Sequence, residues 1–220
     1  GYVQKYQMPI VSYVPANIGY PYSFTFREPE LNEISMEYYL STLDAAAAIE
    51  APLVMYAINP IGFGIDREYI KRQGVEDLKR LSDRAAQLNQ KIILEPVTPF
   101  EGKLCVSSDD CKYYLDEVDN DALEICLDLA APFTCGEPIA EYWEKMPGKV
   151  REIHFVDCTA DCEDHLIPGD GEMDWPRIVD YLKSVEYDGY LALELFSRYG
   201  NEPDFSARRG IEVIRDMISD

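Results

Sequence analysis

The sequence predicts an α/β fold, a (β/α)8 or TIM barrel with about six of its strand–helix units present. Three observations predict it. Short apolar runs alternate with amphipathic helical stretches about six times over, the pattern of a parallel sheet with helical crossovers. The runs are apolar through their length, as in sheets covered on both faces. Four of them end on a metal-ligating residue type: Glu95, Asp128, His154 and Glu194. The steps between these positions are 33, 26 and 40 residues, against roughly 31 per unit for a barrel of about 250 residues. Chemistry in such barrels sits at the carboxyl ends of the strands. Three carboxylates and an imidazole gathered there suit a divalent metal.

The elements follow in order. Pro9 to Tyr13 reads as a strand. Residues 31–50 read as a helix with Met36, Leu40, Leu43 and Ala47 on one face. Leu53 to Ile58 is a strand. A helix over 68–89 places Val75, Leu78, Leu81, Ala85 and Leu88 at three- and four-residue spacing. The strand ending at Glu95 comes next, then a shorter helix over 108–118 and the strand ending at Asp128. Glu137 to Met146 reads as one helix before the strand carrying His154. Asp174 caps a helix that tolerates Pro176 in its first turn and buries Ile178, Val179 and Leu182. The strand ending at Glu194 precedes a last helix with Ala207, Ile211, Ile214 and Ile218 as its stripe. A doubly wound sheet is the rival architecture, but no GxGxxG or Walker sequence supports it. Residues 1–220 read as a single domain. The opening residues, Gly1 to Tyr6, read as the tail of a helix, so the first two strands of a full barrel are expected to be missing.

Composition narrows the function. There are 41 acidic against 20 basic residues, a formal net charge of −21, which repels phosphate backbones and disfavours nucleic acid. No apolar stretch reaches the roughly 20 residues of a membrane span, and no signal peptide opens the chain. The six cysteines show no zinc-type CxxC pair. They read as reduced thiols of a cytoplasmic protein, with Cys158 and Cys162 incidental to their loop.

With these residues placed, the chain resembles the sugar-phosphate isomerase/epimerase family, the xylose isomerase-like barrels. The resemblance is carried by ILEP at 93–96, LDLAAP at 127–132, EIHFVD at 152–157, HLIPGDGEMDW at 165–175 and YDGYLALELF at 187–196. The segment YQMPIVSYVPANIGYPY at 6–22 looks like the family's third strand and following loop. The resemblance implies that Glu95, Asp128, His154 and Glu194 hold the metal and that Glu95 and Glu194 are also the acid/base pair. It implies that Glu101 contacts substrate. Epimerases of free ketohexoses carry a histidine where this chain has Ala131, and an arginine where it has His165. Both departures point away from a simple free ketohexose. His165 is read as a substrate contact instead, with a loop hydrogen bond as the rival reading.

The implied reaction is 3-epimerisation of a ketose or a fructosamine. A proton leaves carbon to one glutamate and returns from the other on the opposite face, through a metal-stabilised ene-diolate. Mn²⁺ is the first expectation for this oxygen-rich set, with Co²⁺, Mg²⁺ or Zn²⁺ as alternatives. The substrate is a small sugar or sugar-amine, and the resemblance also suggests a homo-oligomer. The acidic stretch 158–172 disfavours a phosphorylated sugar. The other readings are a ketose-phosphate epimerase or aldose–ketose isomerase of the same fold, and a non-catalytic sugar-binding remnant. A DNA-repair endonuclease also shares this fold, but its zinc sites need more than two histidines.

Four smaller expectations complete the reading. Asp157 either orients His154 or caps the following loop. Tyr13, Tyr20 and Tyr22 either line a pocket or pack. Gly169 and Gly171 form a turn rather than a phosphate cradle, and Trp175 packs beneath it.

Overall fold

Parallel strands cannot be joined by tight turns, so each needs a crossover long enough for a helix. The computed structural model describes residues 2–16, 21–58 and 66–219, and it shows that rhythm. The chain divides into two compact units.

The first unit comprises residues 1–95, 101–105 and 109–125. It contains α1 (Tyr2–Tyr6), β1 (Ser12–Tyr13), α2 (Pro29–Ala48), β2 (Leu53–Ala57), α3 (Arg67–Gln87), β3 (Lys91–Glu95), most of α4 (Ser108–Val118) and the first half of β4 (Leu123–Asp128). The strands pair in parallel and in sequence order: Ser12 with Leu53, Leu53 through Ala57 with Lys91 through Glu95, and Ile92 with Leu123. All five residues of β2 are buried, which its unbroken apolar run requires.

α2 starts on Pro29, whose missing N–H costs nothing in a first turn. α3 is capped by Asp66, whose carboxylate accepts from the N–H groups of Glu68 and Tyr69. Its predicted stripe is the buried face: Val75, Leu78, Leu81 and Ala85, joined by Ile70. Tyr22 stacks on Tyr38 at 3.9 Å between ring centroids, so it packs on α2, and Tyr20 lies outside the described residues.

One buried group in this unit is costly. Asp77, 2% exposed, receives a hydrogen bond from Asn32 Nδ2 at 3.3 Å. Burial pushes its carboxyl up to about 6, against the opposing pull of Asn32. A folded-state pKa above the unfolded value means stability falls as pH rises from about 3.8 to about 6, then stays level. Asp77→Asn is therefore expected to stabilise the protein by about 2 kcal/mol at pH 7. The gain should vanish near pH 4. Urea denaturation at the two pH values checks it, and an equal effect at both would refute this origin.

The second unit comprises residues 96–100, 106–108 and 126–220. The end of β4 is followed by α5 (Ala130–Cys135), α6 (Ala140–Lys145), β5 (Val150–His154), β6 (Asp157–Thr159), β7 (Cys162–Leu166), α7 (Trp175–Ser184), β8 (Tyr190–Ala192) and α8 (Pro203–Ser219). β5 pairs with β8 in parallel, Glu152 with Tyr190 and His154 with Ala192. Leu129 N–H donates to His154 O at 3.3 Å. α7 is capped by Asp174, which accepts from Arg177 N–H, and buries Val179 and Leu182 while Ile178 is half-buried.

Among the described residues the pairings are parallel within each unit, β1 to β4 in the first and β5 with β8 in the second, as the sequence predicts. Three local expectations need correction. The helix expected over 137–146 is shorter, Ala140–Lys145, and α5 precedes it. Gly136, in the left-handed region at φ 66°, ends α5, and its N–H donates to the carbonyls of Pro132 and Phe133. β6 and β7 form an antiparallel ribbon, where no apolar run marked a strand. α8 buries Ser206, Gly210 and Ile214, leaving Ile211 and Ile218 exposed. The buried stripe is thus turned from the predicted one, because Gly210 lies against the Leu193 side chain, where a Cβ would collide. No helix among the described residues is long and apolar enough to cross a membrane.

Candidate metal centre

Strands running the same way deliver their last residues to the same edge. Asp128 ends β4 and His154 ends β5, while Glu194 lies two residues past β8. Ala192, the last residue of β8, is the partner of His154. The second unit brings Asp128, His154 and Glu194 together, each offering a ligand atom within 4.8 Å of the others.

Asp128 is held by its own turn: Oδ1 accepts Ala130 N–H at 2.7 Å. Oδ2 lies 4.0 Å from His154 Nδ1 and 2.8 Å from His165 Nε2. Glu194 Oε2 lies 2.8 Å from His154 Nδ1 and 3.3 Å from His165 Nε2. Asp128 and both histidines are buried, whereas the Glu194 side chain keeps 32% of its surface exposed. The site therefore has a closed floor and one carboxylate that a solute can reach.

These groups perturb one another. Burial disfavours charge on His165, but hydrogen bonds to Asp128 and Glu194 outweigh it and carry its pKa up to about 10. Burial also opposes charge on His154, yet Cys126, Glu152 and Glu194 hold it well above the usual imidazole range. Burial would raise Glu194, but the two histidines pull it below the usual carboxylate range.

The donor set fits a cation. Two donors each about 2.1 Å from one octahedral ion stand about 3 Å apart when adjacent and about 4.2 Å apart when opposite. The observed 2.8 and 4.0 Å from His154 Nδ1 to the two carboxylates span that range. Two carboxylates and an imidazole are the donors that Mn²⁺, Mg²⁺ and Zn²⁺ accept.

The other expected residues are placed as follows. Glu95 is the buried last residue of β3, and Glu101 is half-buried in the turn at 99–101; both belong to the first unit. His165 lies on β7 with its ring stacked on Phe196 at 3.7 Å and its backbone in the left-handed region, φ 43°. Its Nε2 is engaged by Asp128 and Glu194.

Asp157 caps the following loop rather than orienting His154. It accepts N–H bonds from Cys158 at 2.9 Å, Gly169 at 2.8 Å, Met173 at 3.2 Å and the Trp175 indole at 2.7 Å. Trp175 is buried against Phe155 at this hub. Gly171 is glycine because a Cβ there would overlap the Asp157 carboxylate and Cys158 O. Gly169 sits at φ 92°. Both glycines thus serve the turn. Gly171→Ala is expected to cost about 1–3 kcal/mol by overpacking, read as a fall in Tm of several degrees. An unchanged Tm would show that the hub yields to admit the methyl group. Glu152 was not singled out from the sequence, although it is buried two residues before His154 on β5, with Oε1 3.5 Å from His154 Nε2. Its two-residue spacing from His154, a candidate ligand, was the available signal.

Comparison with known proteins agrees with this architecture. Residues 1–217 match the model of the family described as xylose isomerase-like TIM barrel. The chain is 30% identical over 215 residues to fructoselysine 3-epimerase of Escherichia coli O157:H7, covering 98% of this chain and 78% of that protein. It is 22% identical over 198 residues to a D-psicose 3-epimerase of Enterocloster bolteae, covering 88% and 63%. Among solved structures, D-psicose 3-epimerase with D-tagatose from Clostridium cellulolyticum H10 superposes with a TM-score of 0.80 at 17% identity, covering 95% of this chain and 78% of that one. The IOLI protein with a bound zinc atom gives 0.83 at 18% identity, covering 99% and 80%. At such identities the structures establish the fold, and the family match spans nearly the whole sequence. This chain belongs to the xylose isomerase-like TIM barrel family.

Proposed function

We propose that this protein is a metal-dependent 3-epimerase of a ketose or fructosamine, with fructoselysine as the first substrate to test. In class, it is an isomerase acting on a carbohydrate. The observation that carries the proposal is the cluster of Asp128, His154 and Glu194 at the strand ends. The fructoselysine and D-psicose 3-epimerases among its relatives, and the zinc in IOLI, support it.

The proposed ligand set is Glu95, Asp128, His154 and Glu194, with Mn²⁺ as the ion. When bound, a divalent cation supplies stabilisation of the negative charge that builds on the sugar oxygens. The chain's own residues do the rest. One of the two glutamate carboxylates, Glu95 or Glu194, takes the proton from C3; the other returns one to the opposite face. Glu194 has the exposure this needs. Asp128, buried and tied to Ala130 N–H, orients without transferring. Glu101 and His165 are proposed to contact the sugar.

The ribbon β6–β7 favours an amine over a phosphate, because it carries Asp161, Glu163 and Asp164 and no lysine or arginine. The active species is proposed to be a cytoplasmic homo-oligomer, which sedimentation velocity on the purified protein tests. The function is tested by proton NMR of fructoselysine in D₂O with the protein and Mn²⁺. Exchange at C3 is expected. Exchange confined to C1 would make the protein an aldose–ketose isomerase, and no exchange would make it a sugar-binding remnant.

A further inference from the structure

An imidazole that gives one nitrogen to a metal must carry its proton on the other, and something must hold that proton. In this site His154 Nδ1 is the nitrogen turned to the carboxylates, 2.8 Å from Glu194 Oε2 and 4.0 Å from Asp128 Oδ2. Nε2 points the other way, where Glu152 Oε1 lies 3.5 Å off. Both residues sit on β5, two positions apart, so the pleat puts them on one face.

Glu152 is out of place by packing alone. It is 1% exposed, between Val150 and Ile153 on a strand whose other buried residues include both. A carboxylate taken out of water costs several kcal/mol unless polar partners compensate. The sheet itself asks only for a β-branched or apolar side chain at that position. What the acid adds, and a valine could not, is an acceptor behind the ligand imidazole.

We propose that Glu152 is a positioning residue: its carboxylate accepts the Nε2–H of His154 and so fixes the ring rotation and the tautomer whose Nδ1 lone pair faces Asp128 and Glu194. The inference rests on the metal reading of this site and adds a residue to it that takes no part in proton transfer to the sugar. It also separates Glu152 from Asp157, whose carboxylate is spent on the loop at 158–175. Cys126 is the rival acceptor, since its Sγ lies within 4.8 Å of a His154 ring nitrogen.

The test uses the full chain and Zn²⁺ alone as probe, with affinity from competition against a chromophoric chelator. Glu152→Leu removes the acceptor at similar volume, and Glu152→Gln keeps the shape while weakening it. Losses of about 10- to 100-fold in Zn²⁺ affinity are expected for the first, in line with the removal of groups that orient metal ligands, and a smaller loss for the second. The second readout is the ring proton on His154 Nε2 in ¹⁵N-histidine NMR, which an indirect packing role would not move. With two histidines in the chain, His165→Asn assigns it. A downfield, exchange-protected Nε2–H is expected in the wild type, lost in Glu152→Leu, moved upfield in Glu152→Gln and retained in Cys126→Ala.

Wild-type affinity and an unmoved Nε2–H in Glu152→Gln overturn the proposal even where Glu152→Leu does not fold. Loss of the signal in Cys126→Ala alone also overturns it. If the wild type takes up no Zn²⁺, the metal reading falls separately. The Nε2–H of the metal-free protein then decides whether Glu152 holds the ring.

Discussion

Glu194→Gln is expected to leave a folded protein whose C3 exchange is slowed by about 10³-fold or more. Two contributions add. A positioned base typically supplies about 10² to 10⁴ in rate, and an amide cannot accept the proton. The same change takes a charged donor from the proposed metal set. It also removes the anion that lies 2.8 Å from His154 and 3.3 Å from His165, so some loss of metal affinity should accompany the kinetic loss. Glu194 is singled out over Asp128 by access: its side chain is 32% exposed against 7%. The rate of C3 deuterium uptake at saturating Mn²⁺ measures the effect. A variant within tenfold of wild type would remove Glu194 from the chemistry.

Metal removal should abolish turnover and destabilise the protein in a pH-dependent way. At a metal concentration 100 times its Kd, a ligand that binds only the native state contributes about 2.7 kcal/mol. In the metal-free chain the histidines take over part of the charge balance. His165 faces Asp128, Glu194 and Glu163, and His154 faces Glu152, Asp128, Glu194 and Cys126. Their folded pKa values lie above the unfolded 6.5, that of His165 at about 10. Stability from these pairs is therefore full below about pH 6.5 and is lost as pH rises toward 10. Glu194 runs the other way: its pKa is depressed, so its contribution is present above about 4.5 and is lost as pH falls below it. The metal competes with the histidine protons, so its affinity rises with pH. The Tm gap between Mn²⁺-loaded and chelator-treated protein should widen from pH 6 to pH 9. A gap that narrows over that range would contradict this assignment of charges.

The strands and the ends of the elements were the legible part. Apolar runs such as Ile92-Ile93-Leu94 have no stable home but a covered sheet, and the carboxyl-end residues Asp128, His154 and Glu194 follow from where each run stops. Asp174 and Pro176 mark the start of α7 for reasons confined to one helical turn. Where local signals compete, the sequence is silent or misleading. The acidic segment 157–166 folds as a ribbon because Asp157 gathers four N–H donors from residues up to 18 positions away. Periodicity put Ile211 and Ile218 in the core, but the side chain of Leu193 and the bare Gly210 turn α8 to a different face.

The site divides the same way. Residue type and strand spacing named Asp128, His154 and Glu194, because a pleated strand fixes which side chains reach its end. That His165 meets two of those carboxylates, that Asp157 serves the loop, and that Glu152 lies behind His154 depended on folding. A side chain's partners come from other strands and loops, at distances along the chain that no local periodicity encodes. The sequence alone determined the kind of barrel and the acidic and imidazole residues at its strand ends; only the tertiary structure decided which nitrogen faces which oxygen. That choice turns on differences such as 2.8 against 4.0 Å from His154 Nδ1 to the two carboxylates, set by long-range packing.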